Sequence, residues 1–155
     1  MYLSGYDNLK ITANNYKNIS KDRINEVIKI VGLENRIKDK VSKYSLGMRQ
    51  RLGIAQAIIN KPELLILDEP TNGLDVEGII EIRNLIKDLS KKGIAILISS
   101  HNLTEIDNLC NRIIAIKKGK IVADDTIENF TTISGNKKLT LEEAFIKKVG
   151  ENKID

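Results

Sequence analysis

A short run of apolar residues that ends in two adjacent carboxylates constrains this chain more than any other feature. The stretch reads L-L-I-L-D-E-P-T-N-G-L-D over Leu64–Asp75, with Pro62 before the run and Pro70 after it. An unbroken apolar run between prolines predicts a strand buried on both faces of a parallel sheet. Since such sheets bind ligands at the carboxyl ends of their strands, Asp68 and Glu69 fall where a ligand would lie.

The adjacent carboxylates allow two interpretations. Two negative groups side by side repel each other, and a cation or a proton relieves that repulsion. In phosphoryl transfer the first acid, Asp68, holds Mg²⁺ directly or through its water, and the second, Glu69, orients the attacking water. The alternative is an acidic strand end that caps the following helix. These two residues alone leave both alternatives open.

Composition excludes several classes of protein. The 155 residues are 41% hydrophobic and 30% charged, which is ordinary for one soluble globular domain. The net charge of +4 is small and spread along the chain, so a nucleic-acid surface is not expected. A single cysteine, Cys110, excludes an internal disulfide and fits a reducing compartment. No signal peptide is visible and the apolar runs are too short to span a bilayer, which predicts a cytoplasmic protein or subunit.

Helix caps and apolar spacing predict the other elements. Three longer helices are predicted behind N-cap residues: Ser20 to Gly32, Ser45 to about Asn60, and Asp75 to about Lys91. The remaining predicted elements are one or two helical turns near the start, a second buried strand (Ile94–Ile98), a helix (Asn102–Asn111), a hairpin (Ile113–Ile116 with Lys120–Ala123), a helical turn (Thr126–Phe130), a polar loop (Ser134–Lys138) and a last amphipathic helix (Leu141–Val149).

Two further features fit a phosphate-binding site. The helix that starts at Ser45 offers free N–H groups and the positive end of a helix dipole, which bind phosphate; the alternative is a plain capped helix. His101, the only histidine, follows the second strand, so in a parallel sheet it would face the same crevice as the two carboxylates. A lone histidine is more often structural than catalytic, and both alternatives stay open.

Three segments, taken in order, resemble the nucleotide-binding subunit of ABC transporters. Y-S-L-G-M-R-Q-R-L-G-I-A-Q-A over Tyr44–Ala57 is similar to the signature motif and its helix. Leu64–Asp75 is similar to the Walker B strand with the D-loop, and S-S-H-N-L-T-E over Ser99–Glu105 to the switch histidine. The resemblance runs from about Leu3 to the end. The S-L-G-M tetrapeptide and the closing L-E-E-A-F resemble exporters of drugs, antimicrobial peptides or lantibiotics.

The resemblance implies an α/β fold of the P-loop NTPase (ABC ATPase) type, present in part. That part is a helical subdomain together with the C-terminal part of the parallel-sheet core. It implies a helical subdomain with the signature motif over about residues 1–60. A core with the Walker B strand, D-loop and switch histidine would follow over about 61–130, and a C-terminal helical tail over about 131–155.

The same resemblance implies roles for individual residues in ATP hydrolysis. Asp68 would support Mg²⁺, Glu69 would polarise the water that attacks the γ-phosphate, and His101 would contact that phosphate. Ser45 and Gly47 would bind the γ-phosphate of ATP held by the opposite subunit.

Asp75 would cross the interface between the two ATPase subunits and couple their sites. ATP and Mg²⁺ are the implied cofactors. The implied partners are a membrane permease, which would hold the chain on the inner face of the membrane, and a homo- or heterodimeric ATPase partner. No nucleic acid is expected. Departures from the family pattern are Leu46, Met48, Gln56 and Val76.

A phosphate-binding P-loop is missing from the sequence. None of the ten glycines fits G-x-x-x-x-G-K-S/T, so the chain resembles the C-terminal two-thirds of an ABC ATPase. We therefore expect that the chain alone neither holds ATP tightly nor hydrolyses it. Apolar surface and a strand edge should be exposed, with poor solubility or dependence on a partner.

Two other functions compete with a transport ATPase. One is a non-catalytic interaction or regulatory remnant that docks on a permease or on an intact ATPase subunit, which the missing P-loop favours. The other is a relative that acts on ribosomes or DNA; such relatives carry coiled-coil insertions or tandem ATPase domains, and this sequence shows neither.

Overall fold

The computed structural model describes residues 2–133 and 137–150. The chain divides into two compact units, Met1–Ser99 and Ser100–Asp155. No helix within the described ranges is both long enough and apolar enough to cross a membrane. The three-part division implied by the family resemblance stays a prediction.

Three helices that pack against one another open the first unit: α1 (Gly5–Asn14), α2 (Lys21–Ile30) and α3 (Leu46–Ile58). Two of their N-caps are the predicted ones. The Ser20 side chain accepts a hydrogen bond from the Arg23 N–H at 3.1 Å, and the Ser45 side chain accepts one from the Met48 N–H at 3.2 Å. A single 3₁₀ turn, Val41–Lys43, precedes α3.

Helix α1 is longer than the one or two turns that the sequence predicted. Ser4 and Asp7 form a capping box, in which the Asp7 N–H donates to the Ser4 hydroxyl and the Ser4 N–H donates to the Asp7 carboxylate, each at 3.1 Å. Hydrogen bonds from Ser4 lower the pKa of the Asp7 carboxyl. The box satisfies N–H groups that would otherwise have no partner and so stabilises the start of α1, which extends to Asn14.

The carboxylate stretch forms the predicted parallel strand pair. Strand β1 (Leu64–Asp68) pairs with β2 (Ala95–Ser99), with Asp68 opposite Ser99. Helix α4 (Val76–Lys91) connects the two strands and packs against β2.

The prediction that both strands are buried on both faces is wrong. Leu65 and Leu67 are buried, whereas Leu64, Ile66 and Leu97 are 53%, 65% and 50% exposed. Successive side chains of a strand point to opposite faces, and in the described part of this unit only one face of the two-stranded sheet is covered. The expected exposure of apolar surface is therefore confirmed. We call the three exposed residues Leu64, Ile66 and Leu97 the open sheet face.

The second unit has its own core around a β-hairpin. Its elements are α5 (Leu103–Leu109), the hairpin β3 (Arg112–Lys117) and β4 (Lys120–Thr126), α6 (Ile127–Thr131), the short pair β5 (Thr132–Ile133) and β6 (Lys137–Lys138), α7 (Leu141–Phe145) and a π-helical turn (Ile146–Gly150). The hairpin turns at Lys118 and Gly119, as predicted. Both residues have a positive φ. Its buried core is formed by Ile113, Ala115, Phe130, Leu141, Ala144 and Val149.

Two predictions for this unit differ from the structure, and one of them also lies partly outside the described residues. The polar loop predicted over Ser134–Lys138 ends in strand β6, and its residues 134–136 lie outside the described residues. The helix predicted over Leu141–Val149 is an α-helix only to Phe145 and continues as a π-helical turn. Cys110 in this unit is partly buried, and burial raises the pKa of its thiol.

Candidate functional site

The two adjacent carboxylates lie at the carboxyl end of β1, where Ser99 contacts both residues. The Ser99 hydroxyl donates a hydrogen bond to Asp68 Oδ1. The Glu69 N–H donates to Ser99 Oγ at 3.1 Å and to the Ser99 carbonyl oxygen at 3.2 Å. The Asp68 side chain is exposed at this end of the sheet, so its carboxylate is accessible from solvent.

Glu69 has an unusual backbone conformation. Its φ is +45°, in a region that residues other than glycine and asparagine rarely adopt. Pro70 follows it, and a residue before proline favours φ near −120°. Strain of this kind persists where the surrounding structure fixes the conformation, and it is concentrated at functional sites.

The helix cap next to this site is made by a different acidic residue. Asp75 precedes α4, and its Oδ1 accepts a hydrogen bond from the Gly78 N–H at 2.9 Å. The turn between Glu69 and Asp75 is closed by the Leu74 N–H, which donates to the Thr71 carbonyl oxygen at 3.2 Å. Neither Asp68 nor Glu69 caps α4, which removes the alternative interpretation of the carboxylate pair as an acidic helix cap.

The start of helix α3 lies against the turn that follows the carboxylates. A Cβ placed on Gly73 would lie 3.2 Å from Leu46 Cδ2, and one placed on Gly47 would lie 3.8 Å from Leu74 Cδ2. Ser45 caps α3 and is exposed. Within the first unit, the start of α3 at Ser45 therefore lies against the Asp68–Asp75 segment.

The predicted switch histidine belongs to the second unit. His101 is exposed and lies just before helix α5. The next residue, Asn102, caps that helix: its Oδ1 accepts hydrogen bonds from the Thr104 N–H at 3.0 Å and the Glu105 N–H at 3.3 Å. The role of His101 at the γ-phosphate stays a prediction.

Asp68 is the carboxylate of this site that could hold a Mg²⁺ ion bound with a nucleotide. Residues 2–133 and 137–150 contain no group of three or more histidine, cysteine, aspartate or glutamate side chains that could hold a metal ion. Mg²⁺ in nucleotide sites uses one or two carboxylates, substrate phosphates and water. Asp68, oriented by Ser99, offers that one carboxylate.

Ser99 is the functional candidate that reasoning from the sequence missed as a single residue. It belongs to the S-S-H-N-L-T-E segment, in which the sequence singles out His101. The signal that could have found it is register, because the last residues of two adjacent parallel strands lie side by side, and Ser99 is thereby opposite Asp68.

Sequence comparison finds relatives that share most of this chain. The family model described as "ABC transporter" matches residues 1–72. An uncharacterised ABC transporter ATP-binding protein of Bacillus subtilis, YdbJ, is 53% identical over 128 residues, which are 82% of this chain and 42% of the relative. The bacitracin transport ATP-binding protein BcrA of Bacillus licheniformis is 50% identical over 123 residues, 79% of this chain and 40% of the relative. The chain thus spans less than half the length of these two relatives.

Structural comparison gives the same family. A solved structure of the ATP-binding subunit of an ABC transporter superposes with a TM-score of 0.79 at 25% identity, covering 95% of this chain and 62% of that one. The predicted mixed α/β fold of the ABC ATPase type, present in part, is therefore confirmed.

Proposed function

Because the chain belongs to the ATP-binding proteins of ABC transporters, we propose that it serves in ATP-driven export of a drug or an antimicrobial peptide. The observation that carries the proposal is the Asp68–Glu69 pair, which Ser99 holds at the end of β1 while Asp75 caps α4. The similarity to a bacitracin transport protein supports the substrate class.

Each residue of the site has a chemical task in this proposal. Asp68 holds Mg²⁺ or its bound water, and Glu69 accepts the proton of the water that attacks the γ-phosphate. His101 donates to the γ-phosphate and helps to position that water. Bound Mg²⁺ supplies positive charge to the phosphate oxygens. The geometry that supports this is the contact of Ser99 with both acidic residues: its hydroxyl donates to Asp68 and accepts from the Glu69 N–H.

Ser45 and Gly47 act on a different nucleotide from Asp68 and Glu69. They lie at the positive N-terminal end of α3 and bind the γ-phosphate of ATP held by a second ATPase subunit. Asp75 couples the two subunits while it caps α4. A membrane permease is the other partner, and it holds the chain on the inner face of the membrane.

We propose that ATP held on this chain's own side requires a P-loop from outside these 155 residues. In a pair with an intact ATPase subunit, the chain then contributes one half-site through Ser45 and Gly47. The chain alone neither binds ATP tightly nor hydrolyses it.

A non-catalytic docking module is the second candidate. The open sheet face favours it, because exposed apolar residues of this kind mark interaction surfaces. The two candidates differ in what the Ser45 end of α3 does once the chain is bound to its partner.

Substitution of Ser45 separates the candidates. Aspartate is as good an N-cap as serine, so Ser45→Asp keeps α3 capped but places a negative charge against the γ-phosphate. Ser20→Asp makes the same change at the cap of α2, where no phosphate is proposed, and is the matched control. The assay is ATP hydrolysis by an intact homologous ATPase subunit mixed with excess full-length chain.

We expect wild-type chain and Ser20→Asp to raise hydrolysis above that of the subunit alone. Ser45→Asp should lose that stimulation by roughly tenfold or more, because like charges in contact are strongly unfavourable. If all three forms bind the subunit and none changes hydrolysis, the docking module is correct and the half-site proposal is wrong.

A further inference from the structure

Ser99 connects the two acidic residues of the proposed ATPase site. Its hydroxyl donates to the Asp68 carboxylate and accepts a hydrogen bond from the Glu69 N–H, and its carbonyl oxygen accepts from the same N–H. From these contacts we infer that Ser99 is a positioning residue, which sets the side chain of Asp68 and the backbone of Glu69 in one geometry. The inference rests on the proposed function, since it assigns these two residues to Mg²⁺ and to the attacking water.

The hydrogen-bonding capacity of serine matches this task. A hydroxyl has one donor and two acceptor lone pairs, so a single oxygen can orient a carboxylate and hold a backbone N–H. Alanine at position 99 would retain only the carbonyl contact with Glu69. Threonine would keep both hydroxyl contacts, and its extra methyl suits a strand.

The backbone of Glu69 is the feature that most needs such support. Its φ of +45° is unfavourable for glutamate, and a following proline makes it more so. The Glu69 N–H is held by two acceptors of Ser99, and the Glu69 carbonyl oxygen accepts from the Asn72 N–H at 3.1 Å. Ser99 thus supplies two acceptors for the N–H of the strained residue.

These contacts are exposed to solvent, so the effect of Ser99 on positioning can be distinguished from an effect on fold stability. Asp68 and Ser99 are both exposed, so water can replace the lost hydrogen bonds when Ser99 is truncated. The fold should tolerate Ser99→Ala, while the alignment of the two acids should not.

Backbone hydrogen exchange in the full-length chain tests the contact with Glu69. We expect the Glu69 amide to exchange about two- to tenfold faster in Ser99→Ala, the range that one hydrogen bond supports, and at the wild-type rate in Ser99→Thr. Ser100→Ala removes the neighbouring hydroxyl, which accepts from the Asn102 N–H, and should leave Glu69 unchanged. An unchanged Glu69 rate in Ser99→Ala would overturn the inference.

A titration with Mn²⁺ alone measures metal binding at the two acidic residues. This binding would not change if Ser99 only stabilised the fold. In nuclear magnetic resonance spectra of the full-length chain, the paramagnetic ion should broaden the Asp68 and Glu69 amide signals. Ser99→Ala should need several-fold more Mn²⁺ for equal broadening, and Ser99→Thr should need the wild-type amount. If the same amount of Mn²⁺ broadened the two signals equally in all forms, positioning by Ser99 would be contradicted. Both readouts are independent of ATP, so failure of the half-site proposal in the hydrolysis assay would leave them interpretable.

Discussion

At the scale of single residues, two helical glycines give a matched test of the cap at the site. Gly53 lies within α3, and a Cβ placed on it meets no atom within 4 Å. A Cβ on Gly78 would lie 2.9 Å from Asp75 Oδ1, the atom that caps α4. Alanine normally stabilises a helix over glycine, so replacement by alanine should stabilise the protein at Gly53 but not at Gly78.

We expect Gly53→Ala to raise the free energy of unfolding by about 0.5–1 kcal/mol. Gly78→Ala should give no gain or a loss of about 1 kcal/mol, because the added methyl displaces the Asp75 cap. Urea unfolding of both variants, followed by circular dichroism, measures the difference. Equal stabilisation of the two would show that Asp75 does not hold the start of α4 as described.

At the scale of elements, the sequence predicted helix starts better than strand environments. The caps at Ser20, Ser45 and Asp75 were predicted because each bonds an N–H only three residues ahead. The Ser4–Asp7 capping box carries the same local signal and was overlooked. Burial of β1 could not be predicted, because it depends on which neighbours cover each face of the sheet.

The same distinction applies to the candidate site. Asp68, Glu69 and Asp75 could be identified from one continuous motif, and the structure shows which of them caps the helix. The role of Ser99 required knowledge of strand register, since it lies 31 residues from Asp68. Local patterns therefore identify the candidate residues, and strand pairing shows which of them lie together.

The open sheet face carries a prediction for the strand pair. Ile66 is 65% exposed in the middle of this face, so its removal costs little folding energy but reduces apolar contact between molecules. We expect the wild-type chain to self-associate in light scattering, and Ile66→Lys to shift it toward monomer with an unchanged midpoint of thermal unfolding. Ile80→Lys, at a 49% exposed isoleucine of α4, is the control and should leave association unchanged. A wild-type chain that is a monodisperse monomer with one cooperative unfolding transition would contradict this.

At the scale of the whole molecule, we propose that the chain carries residues of two different half-sites. Ser45 and Gly47 are proposed to serve ATP on a second subunit, whereas Asp68 and Glu69 are proposed to serve ATP held by a P-loop that these 155 residues do not contain. Given this separation, we expect the chain to be inert alone and still to act in a pair. Nucleotide binding, like ATP hydrolysis, therefore distinguishes the possible assemblies.

Calorimetry of ATP binding with Mg²⁺ tests this claim most directly. The full-length chain is titrated alone, an intact homologous ATPase subunit is titrated alone, and then the two are titrated together. We expect no binding to the chain alone and tighter binding to the mixture than to the subunit, because Ser45 and Gly47 complete the partner's site. Binding to the chain alone, or an affinity in the mixture equal to that of the subunit, would contradict the half-site account.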